Sequence, residues 1–167
     1  MALTEAEQEK ARARNRRHWQ EGVAFNRACE MVISRWDPEG VEMHLPLRDD
    51  LTAHPGVFHG GVISALIDTA GCAAVAAGHD YNYGNRITTV ALSVQYQTVE
   101  PGASVVAYAR CTRRGRQLNF TEVVVRSDSG KELARGLVTV SATGKRDPAA
   151  SERSGRENHA GSADRQR

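Results

Sequence analysis

Apolar and polar residues alternate over 29–35 and again over 41–47, on either side of Asp37-Pro38-Glu39-Gly40. Period-two patterning interrupted by Pro and Gly predicts a hairpin. Upstream, Thr4 and Glu7 form a capping-box pair ahead of strong helix formers, which predicts a charged helix from Thr4 to about Arg27. Its basic run, Arg12, Arg14, Arg16 and Arg17, reads as a solvated face. The pattern changes at Gly60. From there to Gly78 nearly every position is apolar or small. The stretch is too long for an ordinary strand, so it predicts a buried helix that Gly78 terminates. Its Ala and Gly content lets other backbone approach closely, as a sheet wrapped around it requires.

Four strand-type segments follow, at 86–99, 103–112, 118–127 and 132–142. Glu100-Pro101-Gly102, Arg114-Gly115-Arg116 and Asp128-Ser129-Gly130 separate them, and such short links favour antiparallel neighbours. Two strands, one buried helix and a four-strand meander make an α+β architecture, an antiparallel sheet around a central helix with an extra N-terminal helix. Residues 1–27 are the helical extension and 28–143 the domain. The tail, 144–167, holds nothing more apolar than Ala or Pro and is expected to be disordered.

Composition narrows the function classes. The chain has 167 residues, one domain's worth, and a net charge of +2, which makes no case for a nucleic-acid partner. Met1-Ala2-Leu3-Thr4-Glu5 lacks the apolar core of a signal peptide, and no apolar run is expected to reach the roughly 18 residues of a membrane span. Cys29, Cys72 and Cys111 are odd in number and widely spaced, which suits a reducing compartment. The expectation is a cytoplasmic protein with no nucleic-acid or membrane partner.

The chemistry concentrates in His54-Pro55-Gly56-Val57-Phe58-His59-Gly60-Gly61 and in Asp68, which follows Leu66-Ile67. His-Gly-Gly opens a helix, whose first N–H groups lack intrahelical partners and lie at the positive end of its dipole. With no Cβ in the way, an oxygen can approach them, as an oxyanion hole requires. Asp68 sits within an apolar helix, where a carboxylate costs several kcal/mol, roughly, unless paired or used. The two are about 12 Å apart along one helix, too far to share one carbonyl. Two copies of the helix running antiparallel across a two-fold axis would bring Gly60 of one near Asp68 of the other.

Gly-x-x-His-Gly-Gly, then Leu-x-Asp and a Gly/Ala-rich helix end, resembles the hotdog-fold acyl-CoA thioesterases of the 4-hydroxybenzoyl-CoA thioesterase superfamily, nearest to the phenylacetate-degradation (PaaI-like) branch. Thr88-Thr89-Val90-Ala91-Leu92-Ser93-Val94-Gln95-Tyr96 with Pro101-Gly102, Arg113-Arg114-Gly115-Arg116 and Gly130-Lys131-Glu132-Leu133-Ala134-Arg135-Gly136 extend the resemblance over roughly 27–143. It implies a hotdog fold and hydrolysis of an acyl-CoA to free acid and CoA, with no cofactor. Asp68 would be nucleophile or general base, Gly60 N–H the oxyanion donor, His59 a support for that loop and Thr89 a hydroxyl assisting attack. Gly61, His54, Phe58 and the arginines Arg113, Arg114 and Arg116 would bind substrate, the guanidinium groups holding CoA phosphates. It also implies a homodimer, with two dimers associating into a homotetramer in many relatives. One position departs: family members often carry Asn where this chain has Ala53, and His54 beside it is the candidate replacement.

Plainer readings stand beside these. Asp68 could be a structural carboxylate, Gly60 and Gly61 tight packing positions, His59 and His54 loop histidines, Thr89 a β-branched strand residue, and the arginines a solvated turn. His54, His59, His79 and Asp68 have no metal-ligand spacing, and Ser64 is not in a nucleophile elbow. A non-catalytic acyl-CoA sensor is the alternative function, and a hotdog dehydratase or hydratase ranks below it. The fold serves all three.

Overall fold

A computed structural model describes residues 2–144. The expected disordered tail therefore lies outside the described residues, apart from Gly144. Thr4 caps α1 (Glu5–Arg17), accepting from the Glu7 N–H while the Glu7 carboxylate accepts from the Thr4 N–H. Acidic residues fill the first turn of α1 and basic ones the last, complementing its dipole. The helix expected to reach about residue 27 breaks earlier. A π turn, His18–Gly22, closed by Val23 N–H on the His18 carbonyl at 3.0 Å, leads into the short α2 (Ala24–Ala28). Gly22 is a poor helix former, and the turn lets Trp19 reach inward, its indole N–H donating to the Thr69 carbonyl at 3.2 Å.

The predicted hairpin is β1 (Val32–Asp37) and β2 (Gly40–Leu45). The Asp37 carboxylate accepts from the Glu39 and Gly40 N–H groups at 2.9 and 3.0 Å, which fixes the turn. The loop before the helix holds an unforeseen small hairpin, β3 (Thr52–His54) with β4 (Val57–Phe58). Then come α3 (Gly60–Ala77), β5 (Arg86–Tyr96), β6 (Val105–Arg114), β7 (Leu118–Ser127) and β8 (Glu132–Thr143).

One antiparallel sheet contains six strands in the order β1-β2-β6-β7-β8-β5. The meander expected from short links holds for β6, β7 and β8 but not for β5, which pairs with β8 and forms an edge. Three strand spacings separate β5 from β6, about 14 Å, and the segment 97–104 spans that easily. A short link thus permits neighbours without enforcing them.

The sheet curls around α3. Leu66, Ile67, Ala70, Ala73 and Ala77 are fully buried against Met43, Val105, Val125 and Val140. The small residues do what their size suggested. A side chain at Gly71 would press on Val138 and Thr121, and one at Gly136 would collide with Ile67. By length and composition α3 is apolar enough to cross a membrane, contrary to the expectation that no run reaches that length, but 61% of it is buried under the sheet. Its apolarity is that of a core helix.

Candidate functional site

His59 is the N-cap of α3, and its Nδ1 accepts from the Gly61 N–H at 2.9 Å. The His59 carbonyl takes the Val62 and Ile63 N–H groups. Gly60 N–H has no acceptor among the described residues. It is an unpaired donor at the head of an 18-residue helix, with no Cβ beside it. Because Nδ1 accepts, neutral His59 carries its proton on Nε2, on an exposed ring.

Further along α3, Asp68 is half-buried. Thr89 Oγ1 of β5 donates to Asp68 Oδ1 at 2.7 Å. Cys72 Sγ lies 3.1 Å from the same hydroxyl. Since the Thr89 proton is committed to the carboxylate, the Cys72 thiol is the donor in that contact. Burial raises the Cys72 pKa to about 11, so the thiol stays protonated at neutral pH. Asp68 therefore keeps a free oxygen, while its other oxygen is anchored by the Cys72–Thr89 chain.

A β-bulge aims Thr89. The pairing of β5 with β8 shifts register between Thr89 and Ala91. Before the shift Ile87 and Thr89 oppose the inward-facing Ala142 and Val140; after it Leu92, Val94 and Tyr96 oppose the inward-facing Val138, Gly136 and Ala134. One extra residue reverses the alternation, so Thr89 and Tyr96 both face the helix although an odd number of positions separates them.

Tyr96 is a residue that sequence reasoning did not single out. Its hydroxyl donates to the Gly60 carbonyl at 2.8 Å and meets Ser64 Oγ at 2.5 Å. Together with Val57, Phe58, Ile63, Val99 and Leu133, it lines a cleft of about 220 Å³ that opens beside Gly60. Phe58 is part of that lining.

The other candidates disperse. His54 is exposed on β3. Arg114 is occupied at the opposite end of α3: its guanidinium donates to the carbonyls of Val75 at 2.9 Å, Ala74 at 3.0 Å and Pro38 at 3.1 Å. A side chain at Gly78 would collide with that guanidinium, so the glycine clears room for a C-terminal cap made by arginine. This commits Arg114 to the helix end rather than to a free anion. Arg113, over the Phe120 ring at 6.0 Å, and Arg116 remain exposed beside a shallow depression of about 420 Å³.

Residues 55–134 match the model of the thioesterase superfamily. A protein of Mycobacterium tuberculosis named a putative esterase is 27% identical over 117 residues, covering 70% of this chain and 84% of its own. Its solved structure superposes with a TM-score of 0.69 at 25% identity, covering 75% of this chain and all of that one. A Schizosaccharomyces pombe protein of the same description is 29% identical over 130 residues, 72% of this chain and 78% of its own. A hypothetical thioesterase protein of Streptococcus pneumoniae, solved with coenzyme A, shares the fold with a TM-score of 0.62 and 19% identity over 70% of this chain and 88% of that one.

Proposed function

We propose that this chain, whose residues 55–134 match the thioesterase superfamily model, is an acyl-CoA thioesterase working as a homodimer, with each site shared between two copies of α3. The observation that carries the proposal is the pair of groups on that one helix. An unpaired N–H stands at Gly60, and a half-buried carboxylate with a free oxygen stands at Asp68, held by Thr89. They are about 12 Å apart within one copy, and antiparallel copies close the distance.

Gly60 N–H of one copy polarises the thioester carbonyl. Asp68 of the other supplies the carboxylate, attacking directly or taking a proton from the water that attacks. A new C–O bond forms while the carbonyl electron pair moves onto oxygen, where the Gly60 N–H stabilises it. The pair returns, the C–S bond breaks, and the CoA thiolate leaves, taking the proton that Asp68 drew from water; where Asp68 attacks directly, water then cleaves the acyl-Asp68 anhydride, which restores the carboxylate, frees the acid and supplies the thiolate's proton. A thioester is already activated, so one base and one or two aimed donors are adequate. The coenzyme A held by the Streptococcus pneumoniae neighbour agrees with that leaving group. Arg113 near the end of β6 and Arg116 in the β6–β7 turn, both exposed, are the guanidinium groups offered to its phosphates.

Edge strand β5 supports the dimer. Its outer edge has no strand partner among the described residues, and Val90 (58% exposed) and Tyr96 (55% exposed) are uncovered on it. A long edge of this kind is a template for pairing with a second chain.

The test is thiol release from phenylacetyl-, benzoyl-, hexanoyl- and lauroyl-CoA by wild type and Asp68→Asn. The expected result is turnover by wild type that falls about a hundredfold or more in the variant, the dimer remaining intact by size-exclusion chromatography. Binding of CoA esters without any turnover would make the chain a sensor and sink the mechanism.

A further inference from the structure

We propose that Tyr96 is both a positioning residue for the oxyanion donor and the residue that sets the size of the acyl group. The inference rests on the thioesterase reading of the site. The phenol has a single proton, and the 2.8 Å contact with the Gly60 carbonyl uses it. Ser64 is then the donor in the 2.5 Å contact, so the chain runs from Ser64 O–H to Tyr96 O–H to the Gly60 carbonyl. The same peptide continues the chain: the Gly61 N–H donates to His59 Nδ1 at 2.9 Å. Donation to a peptide carbonyl strengthens that peptide's own N–H as a donor. Tyr96 therefore braces the first turn of α3 from the edge strand.

The ring does a separate job. A Cβ at Gly60 would lie 3.5 Å from the tip of the Tyr96 ring, so the aromatic wall stands beside Gly60. The remaining lining is almost wholly aliphatic or aromatic: Val57, Phe58, Ile63, Val99 and Leu133. An apolar cleft of about 220 Å³ bounded by the Tyr96 ring suits a short or medium acyl tail better than a long one.

Tyr96→Phe and Tyr96→Ala separate the two roles. Thiol release is measured with acetyl-, hexanoyl-, octanoyl-, lauroyl- and phenylacetyl-CoA. The phenylalanine variant keeps the wall and loses the brace, so kcat falls about three- to tenfold on every substrate, with KM and chain-length preference unchanged. The alanine variant also opens the wall, and its preference moves toward lauroyl-CoA through a lower KM for that substrate. Equal kcat in wild type and Tyr96→Phe, or an unmoved preference in Tyr96→Ala, overturns the corresponding role. Binding of non-hydrolysable thioether analogues of hexanoyl- and lauroyl-CoA, followed by thermal shift, reads the cleft without turnover. Wild type is expected to favour the shorter analogue and Tyr96→Ala to gain the longer one; the same preference in both overturns the size assignment. If wild type hydrolyses nothing yet shows this binding pattern, the thioesterase reading fails and the cleft assignment stands.

Discussion

Thr89 offers the sharpest test of how the carboxylate is held. Its hydroxyl donates to Asp68 at 2.7 Å and receives the Cys72 thiol at 3.1 Å, so one oxygen links a strand, a helix and the proposed catalytic carboxylate. Thr89→Val keeps the β-branched shape that suits the strand and removes only that oxygen. A hydrogen bond to a charged acceptor contributes about 1.5–3 kcal/mol. Asp68 is half-exposed, so water replaces much of this for stability, and the fold should lose about 1 kcal/mol or less. Water does not restore geometry. If the full hydrogen bond is used to aim the carboxylate, kcat falls by about ten- to a hundredfold, at 1.36 kcal/mol per decade. KM should stay near its original value, because Thr89 reaches the base rather than the substrate. Thr89→Ser returns the hydroxyl and should recover most of kcat. The assay is steady-state thiol release on wild type, Thr89→Val and Thr89→Ser at matched dimer concentration. A valine variant within about twofold of wild type in kcat would refute the positioning role.

Two further outcomes follow from the far end of α3. His79 is 8% exposed, its Nε2–H donating to the Gly84 carbonyl at 2.9 Å, and burial pushes its pKa below the ordinary 6.5. Between its lowered folded value and about 6.5 the unfolded chain binds more protons than the folded one, so stability rises with pH across that window and is lost on acidification. The melting temperature should therefore drop from about pH 7.5 to about pH 5.5, and by less in His79→Gln, which keeps a donor but does not titrate; equal drops in the two proteins would remove His79 as the cause. Arg114→Ala leaves the carbonyls of Ala74, Val75 and Pro38 without their guanidinium donor and should cost about 2–4 kcal/mol in chemical denaturation. It should leave KM for acyl-CoA unchanged, whereas Arg113→Ala should raise it; a rise with Arg114→Ala and no loss of stability would reverse the two assignments.

Much of the fold was legible because its signals are local. The Thr4–Glu7 capping box, the Asp37-Pro38-Glu39-Gly40 turn and the apolar run closed by Gly78 each depend on neighbours a few residues away, and each appears where the pattern placed it. The failures are non-local. Nothing in Glu100-Pro101-Gly102 says that β5 crosses two strands to pair with β8, because that choice is made by the sheet closing around α3. Nor does Gly22 announce a π turn. The break depends on Trp19 finding Thr69 and packing beside Trp36, with ring centroids 6.3 Å apart.

The site divides along the same line. His59, Gly60, Gly61 and Asp68 share one helix, so their order alone conveys the relation between them, including the separation on which the proposed two-copy site rests. Thr89 was reachable only through its likeness to a family position, and Tyr96 was not reachable by alternation at all. Period two from Thr89 puts Tyr96 on the outer face of the sheet, away from α3. The bulge between Thr89 and Ala91 cancels that parity and turns both toward the helix. Val90-Ala91 shows neither the glycine nor the proline that would mark a bulge in sequence. Its cause lies in what it accomplishes: with regular pairing, either the hydroxyl that holds Asp68 or the phenol that braces Gly60 would face away from the helix. Restoring regular pairing by deleting Val90 should therefore cost one contact or the other, and the one retained would show which end of α3 dictates the register of β5.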